Sequence, residues 1–124
     1  MTSGHALTDI HRAVEEGVNS GDIDGLMALY ADDARMVTMD GSIAEGHDAI
    51  REQWAWLIEQ DGEMRLESHY AIELGDLAVL SNSWTFRYGD EEMSGTTAEV
   101  ARRDPDGSWL YVIDHPFAHA RQPA

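Results

Sequence analysis

Asn19-Ser20-Gly21-Asp22-Ile23-Asp24-Gly25-Leu26-Met27-Ala28-Leu29-Tyr30-Ala31-Asp32-Asp33-Ala34 is the stretch whose chemistry sets the chain's organisation. Asn19 to Asp22 end one helix, and the Asp22 side chain can satisfy the free N–H groups that open the next. Before this junction, Ala6, Leu7, Ile10, Ala13, Val14, Gly17 and Val18 recur at the three-and-four spacing of one helix face. His11, Arg12, Glu15 and Glu16 fall mostly on the other side. After it, a short second helix is expected from Ile23 to Tyr30, with Leu26, Leu29 and Tyr30 inward, closed by Ala31-Asp32-Asp33-Ala34.

Outward from here the pattern becomes extended. Arg35 to Met39 reads as a strand, Asp40-Gly41 as a turn, and Ser42 to Glu45 as a short return strand. His47-Asp48 then starts a third helix with Ala49, Ile50, Trp54, Leu57 and Ile58 on one stripe, ended by Asp61-Gly62. The remainder predicts four strands: Met64 to Leu74, Leu77 to Tyr88, Met93 to Arg103 and Ser108 to His115. Helices followed by an antiparallel meander indicate an α+β fold and exclude a parallel α/β sheet. With no linker or repeat, residues 1–124 read as a single domain. The tail from His119 to Ala124 reads as loose.

Composition narrows the function classes. The chain carries 24 acidic side chains against 8 basic ones, all Arg, for a net charge of −16. Such a field repels phosphate backbones and anionic lipid heads, so neither nucleic acid nor membrane is an expected partner. A neutral or cationic ligand is easier to accommodate. There is no cysteine, which excludes disulfides, thiolate nucleophiles and Cys-ligated metals. Met1-Thr2-Ser3-Gly4-His5 lacks a basic segment followed by an apolar run, so the expected setting is a soluble, cytoplasmic one.

The opening stretch resembles the N-x-G-D-x-D-x-x-x-x-x-[FY]-A-D-D-A signature of SnoaL-like and ketosteroid-isomerase-like proteins of the nuclear transport factor 2-like superfamily. Gly46-x-x-Ala49-Ile50-Arg51 and Asp106-Gly107-Ser108-Trp109-x-x-Val112-x-Asp114-His115 resemble it too. The resemblance implies a curved antiparallel sheet wrapped around three helices in a cone with an internal pocket. It also implies that Met36, Thr38 and Asp40 point inward, as do Asn82, Trp84, Phe86 and Tyr88, then Thr97 and Glu99, then Leu110, Val112 and Asp114. The steroid-isomerase machinery of a base Asp, a Tyr and a protonated Asp does not carry over, because the matching positions hold Thr38, Val14 and Glu99. What does match is the last-strand Asp of SnoaL-like polyketide cyclases, where Asp114 stands.

The candidate catalytic residues are therefore Asp114 and Glu99. A carboxyl group among apolar side chains has its pKa raised towards neutrality, which suits proton transfer; the competing reading is a structural carboxylate paired with an Arg. The candidate substrate-binding set is Thr38, Asn82, Trp84, Phe86, Tyr88, Tyr30, Trp54 and Val112, in which Trp84, Phe86 and Tyr88 form an aromatic wall suited to an apolar or aromatic organic ligand. His115 and His119 are four apart, but Pro116 intervenes, so no metal site is expected. His5, His11, His47 and His69 read as surface or capping residues. No phosphate loop or nucleotide fingerprint is present, so no cofactor is expected either. The functional expectation is a cofactor-independent acid/base enzyme catalysing isomerisation, cyclisation or dehydration. The alternative is a non-catalytic ligand-binding or assembly module.

Trp109, Tyr111 and Ile113 alternate with the inward set on the last strand, and that face needs cover, so a homodimer burying Trp109 and Tyr111 is expected. The charge generates one further expectation. Self-repulsion at −16 should ease as salt screens it. The melting temperature should rise with added sodium chloride in a thermal scan; a flat or falling trend would mean that local pairing already neutralises the field.

Overall fold

A computed structural model describes residues 6–118; His5, His119 and the rest of the C-terminal tail lie outside them. After a 3₁₀ turn at Leu7–Asp9 come α1 (Ile10–Ser20), α2 (Ile23–Met27), β1 (Tyr30–Val37), β2 (Ile43–Glu45) and α3 (Gly46–Glu59). The sheet is completed by β3 (Glu63–Leu74), β4 (Leu77–Tyr88), β5 (Glu91–Thr96), β6 (Ala98–Arg103) and β7 (Trp109–His115). No helix among the described residues is long and apolar enough to cross a membrane.

The junction between the first two helices forms as its residue types dictate. Gly21 adopts the left-handed conformation (φ 72°), and the N–H groups of Gly21 and Asp22 return to the carbonyls of Val18 and Gly17 in a Schellman closure. The Asp22 carboxylate then accepts the Gly25 N–H at 2.9 Å, capping α2. That helix is shorter than expected. The chain leaves it before Tyr30, because Tyr30 pairs with Tyr111 of β7 and Leu29 O accepts the Tyr111 N–H. Tyr30 thus opens β1 instead of closing a helix.

The strands form one curved, unclosed sheet in the order β2-β1-β7-β6-β4-β3, with β5 also paired to β4. The expected antiparallel pairing holds throughout except between β1 and β7, which run parallel, so the sheet is mixed. The expected strand Met93 to Arg103 breaks at Thr97. Thr97 accepts the Asn82 N–H on its hydroxyl and the Ser81 hydroxyl on its carbonyl, which lets β5 and β6 occupy successive halves of one β4 edge.

Helix α1 buries Ile10, Val14 and Val18 in the core. Its flank also grips the edge strand β3 through side chains. Asn19 exchanges two hydrogen bonds with the Met64 backbone (2.9 and 2.7 Å), Glu15 accepts the Leu66 N–H (2.9 Å), and His11 bonds the Ser68 hydroxyl (2.6 Å). Four helical residues rise about 6 Å and two strand residues about 6.6 Å, so the three contacts keep step. His11 and Glu15, expected on a solvent face, belong to this seam.

One departure reverses a set of expected orientations. In β7, Tyr111 pairs with Ala101 and Ile113 with Val100, leaving Val112 as an extra, unpaired residue. This bulge shifts the alternation by one. Trp109 and Tyr111 face the interior above it, Asp114 below it, and Leu110 and Val112 turn outward. Tyr111 is 1% exposed within the monomer, so the expected dimer contact through Trp109 and Tyr111 is corrected: neither is available to a partner. The convex face instead presents Ile72, Val79, Val100 and Ile113 as one row of register partners across four strands.

Candidate functional site

Sheet curvature leaves a cavity of about 110 Å³ between the concave face, α1 and α3. Most of its wall is apolar, with Val14, Met36, Trp54, Leu66, Trp84 and Met93 contributing. Two carboxyl groups stand in that wall. Glu99 of β6 and Asp114 of β7 are direct register partners in an antiparallel pair, so their side chains project side by side from one face.

Each carboxyl has its own set of partners. The Tyr30 hydroxyl donates to Asp114 Oδ2 at 2.6 Å. Glu99 Oε1 lies 2.7 Å from His11 Nε2, and its Oε2 accepts the Asn82 amide at 3.0 Å. Among the described residues no Arg approaches either carboxyl; the seven described Arg side chains pair with carboxylates elsewhere. Burial of Asp114, reinforced by the charge of Glu99 and opposed by the Tyr30 hydrogen bond, pushes its pKa up to about 7. Tyr30 is raised well above its ordinary value by burial and then by Asp114. Tyr111 is raised by burial and then by Glu99, and both tyrosines stay protonated. The Tyr111 hydroxyl makes no hydrogen bond among the described residues.

The expected binding residues divide. Tyr30, Thr38, Trp54, Asn82 and Trp84 line the cavity, together with Thr97. Phe86 does not: it is fully buried in the core, stacked on Tyr88 at 5.4 Å, which in turn meets Trp56 edge-on. The aromatic wall therefore reduces to Trp84, extended by Phe117 against its ring. Val112 is turned out by the bulge, and Tyr111 takes its place. Thr38 sits at the mouth with its hydroxyl given to Asp40 (2.6 Å), so it does not serve Asp114. Asp40 is itself exposed rather than inward, and hydrogen bonds from Thr38 and Ser42 lower its pKa to about 2. His115 lies outside the cavity wall.

Sequence reading missed His11 and Tyr111. His11 had a signal, since it precedes Glu15 and Asn19 by four and eight residues and so continues one polar stripe of α1. Tyr111 had none, because a bulge is defined by the partner strand.

The family described as "SnoaL-like domain" matches residues 10–112. Solved structures with similar folds include an NTF-2 like protein of unknown function from Shewanella oneidensis MR-1 (19% identity, TM-score 0.76, covering 87% of this chain and 93% of that one). A ketosteroid isomerase-like protein from Erwinia carotovora atroseptica SCRI1043 is similar over 88% of this chain and 90% of its own (20% identity, TM-score 0.73). An NTF2-like protein of unknown function from Pseudomonas putida KT2440 is similar over 94% and 89% (24% identity, TM-score 0.72). These likenesses speak to the fold. No curated protein matches the chain.

The raised carboxyl has a consequence for stability. Folded Asp114 holds its proton up to about pH 7, whereas an unfolded one releases it near 3.8. As pH climbs between those values, the unfolded state sheds a proton that the folded state keeps, so stability falls. Asp114→Asn stays neutral and still accepts from Tyr30. Its melting temperature relative to wild type should therefore climb from pH 4 to about pH 7 and then level off, read by circular dichroism. A gap that shrinks over that range would place Asp114 among ordinary ion-paired carboxylates.

Proposed function

Because this chain belongs to the SnoaL-like domain family, we propose that it is a cofactor-independent acid/base enzyme that moves a proton on a small organic carbonyl compound. Isomerisation, cyclisation and dehydration all fall within this chemistry. The observation that carries the proposal is Asp114: a carboxyl in an apolar cavity, with no Arg beside it among the described residues and a pKa of about 7. A base poised there is half ionised near neutrality and strong enough to take a proton from carbon beside a carbonyl.

In this reading the ionised Asp114 abstracts the proton, and the Tyr30 hydroxyl fixes the angle of its carboxylate. Glu99, held by His11 and Asn82, keeps the adjacent charge that raises the base. Tyr111, buried near both carboxyls with an unused hydroxyl, supplies a donor for the oxygen on which charge develops. Trp84 and Phe117 offer flat apolar surface to the ligand. A void of about 110 Å³ is somewhat smaller than the ~150 Å³ apolar cavity that accepts benzene, which favours a ligand that buries a single ring.

The test is hydrogen exchange at the α-carbon of 2-tetralone in D₂O, followed by NMR. The wild-type protein should accelerate exchange, with a rate that rises through about pH 7 as Asp114 ionises. Asp114→Asn should lower it by roughly 10²–10⁴-fold with the fold intact. A protein that binds the ketone without exchanging it would be the non-catalytic module instead.

We also propose that a second copy of the chain covers the convex sheet face, as sheet-to-sheet pairing does in proteins this fold resembles. Ile72, Val79 and Ile113 are 60%, 39% and 48% exposed in the monomer and form one apolar row with Val100. Light scattering at micromolar concentration should return a dimer, and Val79→Arg should shift it to monomer. A wild-type monomer would remove this assembly.

A further inference from the structure

Six described glycines take positive φ, but Gly95, near the end of β5, is not among them. A glycine within a strand gives up a side chain to pack, and with no conformational reason for it, it marks a place where other atoms come close. Gly95 is the direct register partner of Trp84, so a side chain at either position points to the concave face. A Cβ on Gly95 would lie 2.7 Å from the Pro116 carbonyl oxygen and 2.9 Å from Trp84 Nε1. Those two atoms are themselves joined, the indole N–H donating to Pro116 O at 2.8 Å. Phe117 follows and sets its ring edge-on to Trp84, with centroids 5.6 Å apart. The chain beyond β7 therefore crosses the concave face over Gly95 and is latched there. Trp84, Pro116 and Phe117 all stand in the cavity wall, whereas Gly95 does not.

We infer that Gly95 sets the size of ligand the cavity accepts, because its missing side chain lets the Pro116-Phe117 segment settle onto the sheet. Trp84 is the fixed side of the latch: β4 is paired along both edges, and the indole is buried. Pro116 and Phe117 lie past the last strand, outside any ladder, and are the side that yields. A methyl group at Gly95 lifts that segment, parts the indole N–H from Pro116 O and draws Phe117 back from the cavity. Asp114 and Glu99 stand on β7 and β6, among their own partners, and keep their places.

This deepens the acid/base reading and rests on it for the nature of the ligand, a ketone. With the segment down, Phe117 limits the buried part to a single ring; with it lifted, a fused second ring fits beside the first. Gly95 acts through Trp84 and Pro116 and is a positioning residue. The consequence runs against simple volume: adding an atom to the protein at Gly95 widens the cavity, as removing the Phe117 ring does.

The experiment titrates the full chain with cyclohexanone and with 2-tetralone, followed by NMR at about pH 5.5, where Asp114 holds its proton and binding is read without turnover. Gly95→Ala should shift the ratio of the two affinities towards 2-tetralone by ~10-fold or more, and Phe117→Ala should shift it the same way. The indole N–H resonance of Trp84, identified by its loss in Trp84→Phe, should move upfield in Gly95→Ala as its hydrogen bond to Pro116 breaks. Melting temperatures verify the fold. Where alanine at Gly95 prevents folding, Pro116→Gly loosens the same segment with Gly95 in place and should shift the ratio in the same direction. A folded Gly95→Ala with the wild-type ratio, or with a ratio moved towards cyclohexanone, overturns the inference. So does an unmoved Trp84 resonance, an unchanged ratio in Pro116→Gly, or a wild-type protein that binds neither ketone. Ketones that bind with the expected shift but exchange no hydrogen at higher pH would count against the acid/base reading alone.

Discussion

The seam between α1 and the edge strand β3 is the constraint on which this architecture rests. An edge strand leaves backbone groups unpaired, and those groups must find partners or stay wet. Here Asn19 and Glu15 satisfy Met64 and Leu66, and His11 extends the seam to Ser68. The near-match between four residues of helix rise and two of strand rise keeps α1 lengthwise on the strand. Held there, the apolar stripe of Ile10, Val14 and Val18 closes one side of the cone, and the concave face of the sheet becomes a cavity wall.

The same seam sets the electrostatics. Two carboxyl groups emerge side by side from β6 and β7 in a place that water hardly reaches. Like charges so placed resist ionising together. The fold separates them by their partners. Glu99 is tied to His11 and Asn82, while among the described residues Asp114 has only the Tyr30 hydroxyl, and it carries the raised pKa. Carboxyl groups in unlike environments are a recurring route to distinct acid and base roles at one pH. His11 serves both ends of this arrangement, fastening the helix to the strand and facing Glu99 across the interior.

Much of this was legible in the chain. The Gly21-Asp22 junction, the helical stripes and the glycine turns announce the helices and most strands, because caps and periodicity are local properties of the backbone. The interior placement of Glu99 and Asp114, implied by the family resemblance, is also the placement in the structure, since Asp114 lies below the bulge. Phe86 and Tyr88 share a face with Trp84, yet the bend of the sheet carries both past the cavity, Phe86 into the core and Tyr88 half-buried against it.

What the sequence determined by itself was the order and type of the elements, the acidic character and the presence of two carboxyls on neighbouring strands. Tertiary structure alone decided which residues meet. The parallel pairing of β1 with β7 turned Tyr30 from a helix end into the partner of Asp114. The bulge at Val112 exchanged Val112 for Tyr111 in the cavity wall. The seam on β3 turned His11 from a surface histidine into the partner of a buried glutamate. In each case the deciding quantity is register against a distant segment. A chain's own pattern of apolar and polar residues has period but no phase until that segment is in place.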